Sequence, residues 1–337
     1  VGGAGDEASL HAGAEPVGFP DDINFRDVTT FGAVGDGSEE PAVVEANTQA
    51  ILLAMNEERD SGGNPNQSYG RPRVVFFPAG TYVVGDTLQW AACCLTLQGE
   101  GSGQSIIKLA DGAAGFGDPA DPRAVLRTTT GNTSHADYVW NLTVDTGAGN
   151  PGAIGAVFLS NNTGAMRDVE VRSGDGDGVA GLGLTEYAVG PCLFEGVTVR
   201  GFDVGVDIAN AEYGPTFERL VLEGQHVVGL RNDGNTIAVR RLESRNAVAA
   251  VQNVADHGSI ILLDSTLEGG SASIGAIDNA AGDLFLRNVS ASGYASVVEG
   301  VSGTSHEEWV AGEVRTLFPS PERSLNLPVP DTPTFAD

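Results

Sequence analysis

The sequence predicts an all-β fold, a single-stranded right-handed parallel β-helix (a solenoid) with an N-terminal capping helix. Three observations support this prediction. Short apolar segments recur at a nearly constant spacing, and each segment alternates apolar with polar residues. Glycine is also abundant, at 47 of 337 residues. Short strands joined by tight turns have this composition.

The recurring segments are the strongest observation, because a repeat of 20–50 residues indicates a solenoid, a propeller or an array. They are VWNLTV (Val139–Val144), MRDVEV (Met166–Val171), FEGVTV (Phe194–Val199), FERLVL (Phe217–Leu222), VRRLES (Val239–Ser244), LLDSTL (Leu262–Leu267) and FLRNVS (Phe285–Ser290). Their start positions differ by 27, 28, 23, 22, 23 and 23 residues. The alternation has the period of a strand with one buried face.

A second set of segments lies between the first: Gly155–Leu159, Gly205–Ile208, Gly229–Asn232, Ala249–Asn253 and Gly275–Asn279. Two or three strands in about 23 residues match one coil of a parallel β-helix. The fixed leucine spacing and the asparagine ladder of leucine-rich repeats are missing, and a propeller blade needs about 40 residues. Asn and Gly between the segments suit the left-handed backbone of tight corners.

Four regions follow from these patterns. Residues 1–23 are a glycine-rich flexible leader, and residues 24–110 form an opening module with the capping helix. The helix is predicted from Asn47 to Arg59, with Asn47 or Thr48 as its N-cap. We expect this helix to cover the apolar end of the solenoid, because exposed strand edges there would promote aggregation. Residues 111–301 are the coils, and the proline-rich residues 302–337 form a strap or linker.

The formal net charge of −27 restricts the partners. A field of this sign repels nucleic acid and anionic membrane surfaces, and it disfavours a polyanionic substrate unless calcium bridges the two. A neutral polysaccharide is therefore the expected partner.

A membrane-spanning helix needs about 18 consecutive apolar residues, and the sequence contains no apolar run of that length. The three cysteines, Cys93, Cys94 and Cys192, fit no disulfide framework and are expected to be small buried hydrophobes.

Residues 24–109 resemble the opening module of pectate-lyase-superfamily β-helix proteins. The resemblance is carried by four ordered blocks: FGAVGDG (Phe31–Gly37), NTQAI (Asn47–Ile51), VFFPAGTY (Val75–Tyr82) and LQGEGS (Leu97–Ser102). Extra residues at Ser38–Glu45 depart from the family pattern. Lyases, glycoside hydrolases and phage tailspikes share this module, so the resemblance implies the fold and not the reaction.

The remainder is similar to proteins related to family 55 glycoside hydrolases, the β-1,3-glucanases. The matching residues include DTG (Asp145–Gly147), NPGA (Asn150–Ala153), GDGDG (Gly174–Gly178) and NDGN (Asn232–Asn235). Family 55 enzymes carry two tandem β-helices and invert the anomeric centre. The resemblance thus implies a second β-helix domain C-terminal to this chain as a partner, and a secreted or extracellular location.

An inverting glycosidase needs two carboxyl groups about 6.5–9.5 Å apart. The richest acidic band lies between residues 175 and 225. Within it we predict Glu212 and Glu218 as the catalytic pair, with Asp175 and Asp177 as the next choice. Residues predicted to contact the substrate, by stacking, hydrogen bonding or orienting water, are Tyr213, Gln225, Glu186, Asp203, Asn235 and Trp140.

Two alternatives to a hydrolase stay open. A polysaccharide lyase of the pectate type needs a calcium-binding carboxylate set and a basic side chain. Arg219, Arg240, Arg241 and Arg245 are available, although alternating Arg and Glu on a coil face is more typical of a charge ladder. No cofactor is expected, because Gly174–Gly178 lacks the spacing of known calcium loops. Calcium is the one cofactor that we keep as an alternative.

The second alternative to a hydrolase is a non-catalytic glycan-binding or tailspike-like module. Such a module would be a trimer, whereas we expect a monomer.

Overall fold

In the computed structural model, residues 24–57, 73–312, 317–319 and 328–330 are described. Over these residues the chain winds into a right-handed parallel β-solenoid of about nine coils, as the repeat predicts. The predicted leader and nearly all of the predicted polar loop Ser61–Arg73 lie outside the described residues, as do parts of the C-terminal tail.

Three strand faces surround the core. The first face contains β1 (Phe25–Asp27), β2 (Val74–Phe77), β5 (Thr96–Gly99), β8 (His135–Trp140), β11 (Asn161–Arg167) and β14 (Leu193–Glu195). The second contains β3 (Gly80–Val84), β6 (Ser105–Leu109), β9 (Thr143–Asp145), β12 (Glu170–Arg172) and β15 (Thr198–Arg200). Four later strands run through both: β17 (Thr216–Glu223), β19 (Thr236–Asn246), β21 (Ser259–Gly269) and β23 (Asp283–Ser292).

The third face is a separate nine-stranded sheet. Its strands are β4 (Leu88–Gln89), β7 (Arg123–Arg127), β10 (Ala153–Val157), β13 (Ala180–Leu184), β16 (Val204–Ala209), β18 (Val228–Asp233), β20 (Ala249–Asn253), β22 (Gly275–Asn279) and β24 (Ser296–Val298). The second set of predicted segments lies on this face. The first corner joins faces one and two, the second corner joins faces two and three, and the third corner leads back to face one.

Each predicted segment of the first set bends at its centre instead of forming one straight strand. Val139 and Leu142 both point into the core, and Asn141 between them has a left-handed backbone. The equivalent residue of each later coil is also left-handed, with φ between 50° and 64°: Asp168, Gly196, Arg219, Arg241, Asp264 and Asn288. One such residue per coil turns the chain from the first face to the second.

The capping helix α1 (Pro41–Asn56) begins six residues earlier than predicted. Pro41 at its first turn suits a helix start, because proline lacks the amide hydrogen that would have no partner there. Asn47 and Thr48 are therefore not N-caps but buried anchors inside the helix. Asn47 exchanges hydrogen bonds with both backbone groups of Val34 and donates to the carbonyl of Val83. Thr48 accepts from the amide of Gly85.

The core is a continuous column of inward side chains from all three faces. Phe194 stacks on Phe217 at 4.9 Å between ring centroids and meets the edge of Phe158 at 5.8 Å. Glycines at equivalent positions of the third face let its backbone approach the second face. At Gly181, for example, an added Cβ would collide with the side chain of Val199 and lie 2.9 Å from the carbonyl of Gly205. The interior thus narrows on this side.

A ladder of asparagines runs inside the third face, one residue per coil. Asn232 donates to Asn253 at 3.0 Å, and Asn253 donates to Asn279 at 2.9 Å. Asn232 and Asn253 are fully buried. Because a buried amide needs partners, each asparagine fixes the register of the next coil. The expectation that no asparagine ladder is present is therefore wrong, although these residues end three of the predicted segments.

We expect Asn253→Ala to lower the free energy of unfolding by about 2 kcal/mol, because it removes a fully buried amide together with its hydrogen bonds to Asn232 and Asn279. Denaturant titration followed by circular dichroism measures this loss. Asn279→Ala is the matched control, since Asn279 is only half-buried at the end of the ladder. Equal losses in the two variants would contradict the ladder as a source of stability.

The solenoid ends in a strand that the repeat does not predict. Residues Ser305–Ala311, inside the predicted strap, form β25, which pairs antiparallel with β23. An antiparallel strand closes the edge that the last parallel coil leaves exposed. Farther on, the carbonyls of Val329 and Pro330 accept hydrogen bonds from Arg240 at 3.3 and 3.4 Å. At these residues the tail lies along the first corner.

The cysteine prediction is partly wrong. Cys93 and Cys94 are joined to each other in a disulfide, and only Cys192 is the free buried thiol that we expect. Burial raises the pKa of the Cys192 thiol to about 12. No helix of the described residues has the length and apolarity needed to cross a bilayer.

Candidate functional site

The predicted site residues lie at three different locations in the structure. Glu218 lies at the end of the first face, together with Trp140 farther up that face. The second corner carries Asp175, Asp177, Asp203 and Gln225, and the third carries Glu186, Glu212, Tyr213 and Asn235. The ten predicted residues therefore do not converge on one site.

Glu218 is held by arginines at the first corner. It is 9 % exposed, and one carboxylate oxygen lies 3.7 Å from both Arg240 and Arg241. Glu195, which stacks directly on Glu218 in the preceding coil, binds Arg167 and Arg219 at 3.1 and 3.0 Å. Because two arginines engage each carboxylate, this pair is suited to joining coils. The structure does not bring Glu218 to Glu212.

The same corner continues as the predicted charge ladder. Arg240 binds Asp264 at 3.1 Å, and Asp264 also accepts from Asn288 at 2.9 Å. On the second face, Arg245 binds Glu223 at 2.6 Å and Glu243 at 2.9 Å. Alternating arginines and carboxylates thus link successive coils through ion pairs. This arrangement indicates that these residues stabilise the fold.

Asp264 provides a pH-dependent test of this ladder. Its hydrogen bond from Asn288, and then its contacts with Arg240, lower the pKa of the Asp264 carboxyl. A carboxyl with a lowered folded-state pKa contributes stability above its unfolded pKa and loses it as the pH falls. We expect Asp264→Asn to be less stable than the wild type at neutral pH, with the difference shrinking as the pH falls below about 4. Urea titrations across this range measure it, and a difference independent of pH would contradict the prediction.

At the second corner, the predicted residues serve mainly the turn itself. Burial alone would raise the pKa of Asp175, but the amides of Gly149 and Asp177 and the hydroxyl of Ser173 lower it on balance. A lowered pKa is opposite to what a general acid needs. Asp203 lies 3.7 Å from His226, and both are exposed. In the described residues, neither Asp175 nor Asp177 belongs to a convergent group of three metal-binding side chains.

Gln225 and Asn235 point into the interior and do not line a surface. Gln225 is 3 % exposed and donates to the carbonyls of Gly201 and Glu223 at 3.0 and 2.9 Å. Asn235 is fully buried and donates to the carbonyl of Asn210 at 2.7 Å. Their predicted contacts with substrate are therefore wrong. Both amides support backbone turns instead.

Trp140 is half-buried on the outside of the first face, as its alternation with core residues predicts. Its ring lies 5.5 Å from that of Tyr138 at a tilt of 54°. Arg167 follows it in the next coil. Trp90, in contrast, is buried in the core.

A groove on the outside of the third face opens toward the third corner. It is a depression of about 380 Å³ lined by Thr185, Asp207, Ala209, Arg231, Asp233, Gln252 and Val254. Arg231 donates two hydrogen bonds, of 2.8 and 2.6 Å, to the carboxylate of Asp207 in the preceding coil. This contact raises the pKa of Arg231, although burial opposes the effect. Asp233, by contrast, is exposed in the groove.

The turns of the third corner border this groove directly, because Glu186 follows Thr185 and Glu212 lies three residues beyond Ala209. Arg127 donates to both oxygens of Glu186 at 2.7 and 2.9 Å. The charge of Glu212 and its hydrogen bond with the Tyr187 hydroxyl raise the pKa of Tyr187. Three predicted residues, Glu186, Glu212 and Tyr213, are therefore found beside the groove.

The residues that sequence reasoning missed are Asp207, Arg231, Asp233, Arg127 and Tyr187. A signal existed for the first three. Aligning VGVDIAN (204–210) with VGLRNDG (228–234) places Asp207 over Arg231, and the structure has this register. Arg127 lies upstream of the aligned repeats. Tyr187 did have a signal, because Glu186–Tyr187 followed by Gly190–Pro191 has the same residue types as Glu212–Tyr213 followed by Gly214–Pro215 in the next coil.

Comparison with known proteins agrees with this architecture. The family described as "Rhamnogalacturonase A/epimerase, pectate lyase-like" matches residues 25–274. A 60-residue segment is 42 % identical to a protein of Arthroderma benhamiae named "Probable glucan endo-1,3-beta-glucosidase", and it covers 18 % of this chain and 6 % of that protein.

Two solved structures share the fold at low identity. The ORF18 protein of Geobacillus virus E2 is 15 % identical, with a TM-score of 0.54 over 82 % of this chain and 59 % of its own. The DFA-IIIase of Arthrobacter chlorophenolicus A6 is 12 % identical, with a TM-score of 0.53 over 81 % of each chain. The chain thus belongs to the rhamnogalacturonase A/epimerase, pectate lyase-like family, whose carbohydrate-active fold is the right-handed parallel β-helix.

Proposed function

We propose that this protein is an inverting glycoside hydrolase that binds a neutral polysaccharide, such as a β-glucan, in the groove of the third face. The observation that carries the proposal is a pair of carboxylates beside the groove, Glu212 and Asp233. No arginine among the described residues forms an ion pair with either of them, whereas Arg231 pairs with Asp207. The similarity of a short segment to a protein named as a glucanase supports the substrate class.

The two carboxylates would serve as the general acid and the general base of an inverting mechanism. Asp233 is in register with Ala209 of the preceding coil, and Glu212 lies three residues beyond Ala209. The pair is offset by one coil, about 4.8 Å, and by three residues along the chain. Glu212 and Asp233 are therefore farther apart than two residues that stack directly in adjacent coils, such as Glu195 and Glu218. Inverting enzymes need a wider pair, so that a water molecule fits between one carboxylate and the sugar.

The charge of the groove favours a neutral substrate over a uronate. Arg127 and Arg231 are each engaged by a carboxylate, and Asp233, Glu212 and Asp278 add negative charge along the same side. A polyanion would be repelled here. The groove also offers no arginine outside an ion pair among its described lining residues, whereas a pectate-type lyase needs a basic side chain. Hydrolysis is therefore the reaction we favour.

The proposal is tested by incubating the full chain with laminarin, mixed-linkage β-glucan, xylan and polygalacturonate. We expect reducing sugar from a neutral polymer, with inversion at the new anomeric centre observed by NMR. An unsaturated product detected by ultraviolet absorbance would identify a lyase instead. A folded chain that binds these polymers without cleaving any of them would identify a binding module.

We also propose that the protein acts outside the cell as a monomer. The disulfide between Cys93 and Cys94 supports an oxidising location, because such bonds are rare in reducing compartments. Sedimentation equilibrium tests the oligomeric state, and a trimer would favour the tailspike-like alternative.

A further inference from the structure

Two tyrosines project into solvent from neighbouring turns of the third corner. Tyr187 is 53 % exposed and Tyr213 is 55 % exposed. Most other aromatic rings of the described residues are buried in the core or lie half-buried on a face. Both rings are accessible to a ligand, and exposed aromatic side chains are frequent on binding surfaces.

The two turns are in contact with each other. Glu212, and to a smaller extent Tyr213, raises the pKa of Tyr187. The backbone carbonyl of Tyr213 lies against Gly190, where any Cβ would collide with it. Tyr213 itself has a left-handed backbone, with φ of 59°. A non-glycine residue in this conformation is held there by its surroundings.

Both turns are also fixed from below. The turn that carries Tyr187 is held by the Glu186 carboxylate, which Arg127 grips two coils away. The turn that carries Tyr213 is held by Asn235, whose buried amide donates to the carbonyl of Asn210. Rings on turns that are already ordered lose little entropy when a ligand covers them. Turns that are ordered before the ligand arrives are typical of a preorganised binding surface.

We propose that Tyr187 and Tyr213 form a platform on which two successive sugar rings of a neutral glycan stack, so that the glycan runs parallel to the solenoid axis. Sugar rings present apolar faces of C–H groups that pack well on aromatic rings. The coils repeat every ~4.8 Å, which is close to the length of one hexose unit in an extended chain. Each sugar thus advances by one coil, and the chain passes Glu212 and the groove.

This inference rests on the proposed function and is tested by binding. The full chain is titrated at low temperature with laminarin oligosaccharides, from the disaccharide to the hexasaccharide. Tyr187→Ala and Tyr213→Ala are each expected to weaken binding about tenfold, and the double variant about a hundredfold. The matched control is Tyr138→Ala, which removes a tyrosine from the first face and should leave the affinity unchanged.

The outcomes separate the platform from the function. If Tyr187→Ala and Tyr213→Ala bind and cleave laminarin as the wild type does, the platform is wrong and the hydrolase proposal stands. If Tyr138→Ala weakens binding more than either variant, the glycan lies on the first face, and the platform is again wrong. If the wild type binds none of the oligosaccharides, the platform fails together with the proposed substrate.

Discussion

Replacing Asp233 by asparagine is expected to lower the rate of glycan hydrolysis by about two to four orders of magnitude, the usual contribution of a positioned acid or base. The amide keeps the shape of the side chain but cannot accept or deliver a proton. Asp233 is exposed in the groove beside Arg231, and in the described part of the chain its carboxylate takes part in no hydrogen bond or ion pair. Thermal unfolding should therefore be nearly unchanged.

The matched control is Asp256→Asn, which makes the same substitution in the next coil, outside the groove. The Asp256 side chain is 92 % exposed, and in the described part of the chain it forms an ion pair only with His257. We expect it to keep full activity. Retention of activity by Asp233→Asn would contradict the assignment of this carboxylate, and an equal loss in both variants would indicate a general charge effect.

The solenoid was predictable because its coils repeat one physical pattern. Most of the six-residue segments place apolar residues at positions equivalent to Val139, Leu142 and Val144, and burying them requires the next coil to lie in register. The predicted seventh segment starts one residue too early, because Leu286 and not Phe285 is in register with Leu262. The bend at Asn141 was hidden, because an alternating pattern looks the same whether a strand is straight or turns at one left-handed residue. The helix start was also hidden, since buried Asn47 and Thr48 have the residue types of caps.

The site was less predictable, because a solenoid separates residues that are close in sequence. Glu212 and Glu218 are six residues apart, yet one lies in a corner turn and the other at the end of a face. Asp233 is 21 residues from Glu212 and lies in the adjacent coil at the same corner. In such folds, proximity follows the coil period rather than the distance along the chain. Candidate pairs are therefore better sought about one coil apart.

Phe194→Ala is expected to lower the free energy of unfolding by about 3–5 kcal/mol, the range for large aromatic side chains removed from a core. Phe194 is fully buried and lies between two other rings, stacked on Phe217 at 4.9 Å and edge-on to Phe158 at 5.8 Å. In a solenoid each coil is stabilised mainly by its neighbours, so one substitution weakens the interfaces on both sides. Chemical denaturation measures the loss.

The control for this prediction is Phe285→Ala, which removes the same ring from a half-buried position on the outside of the first face. It should cost clearly less, because it leaves no cavity between coils. Phe194→Leu should recover much of the stability, since leucine fills most of the space. A small loss in Phe194→Ala would mean that the coils around it can close the cavity, and that the aromatic column does not hold the centre of the solenoid together.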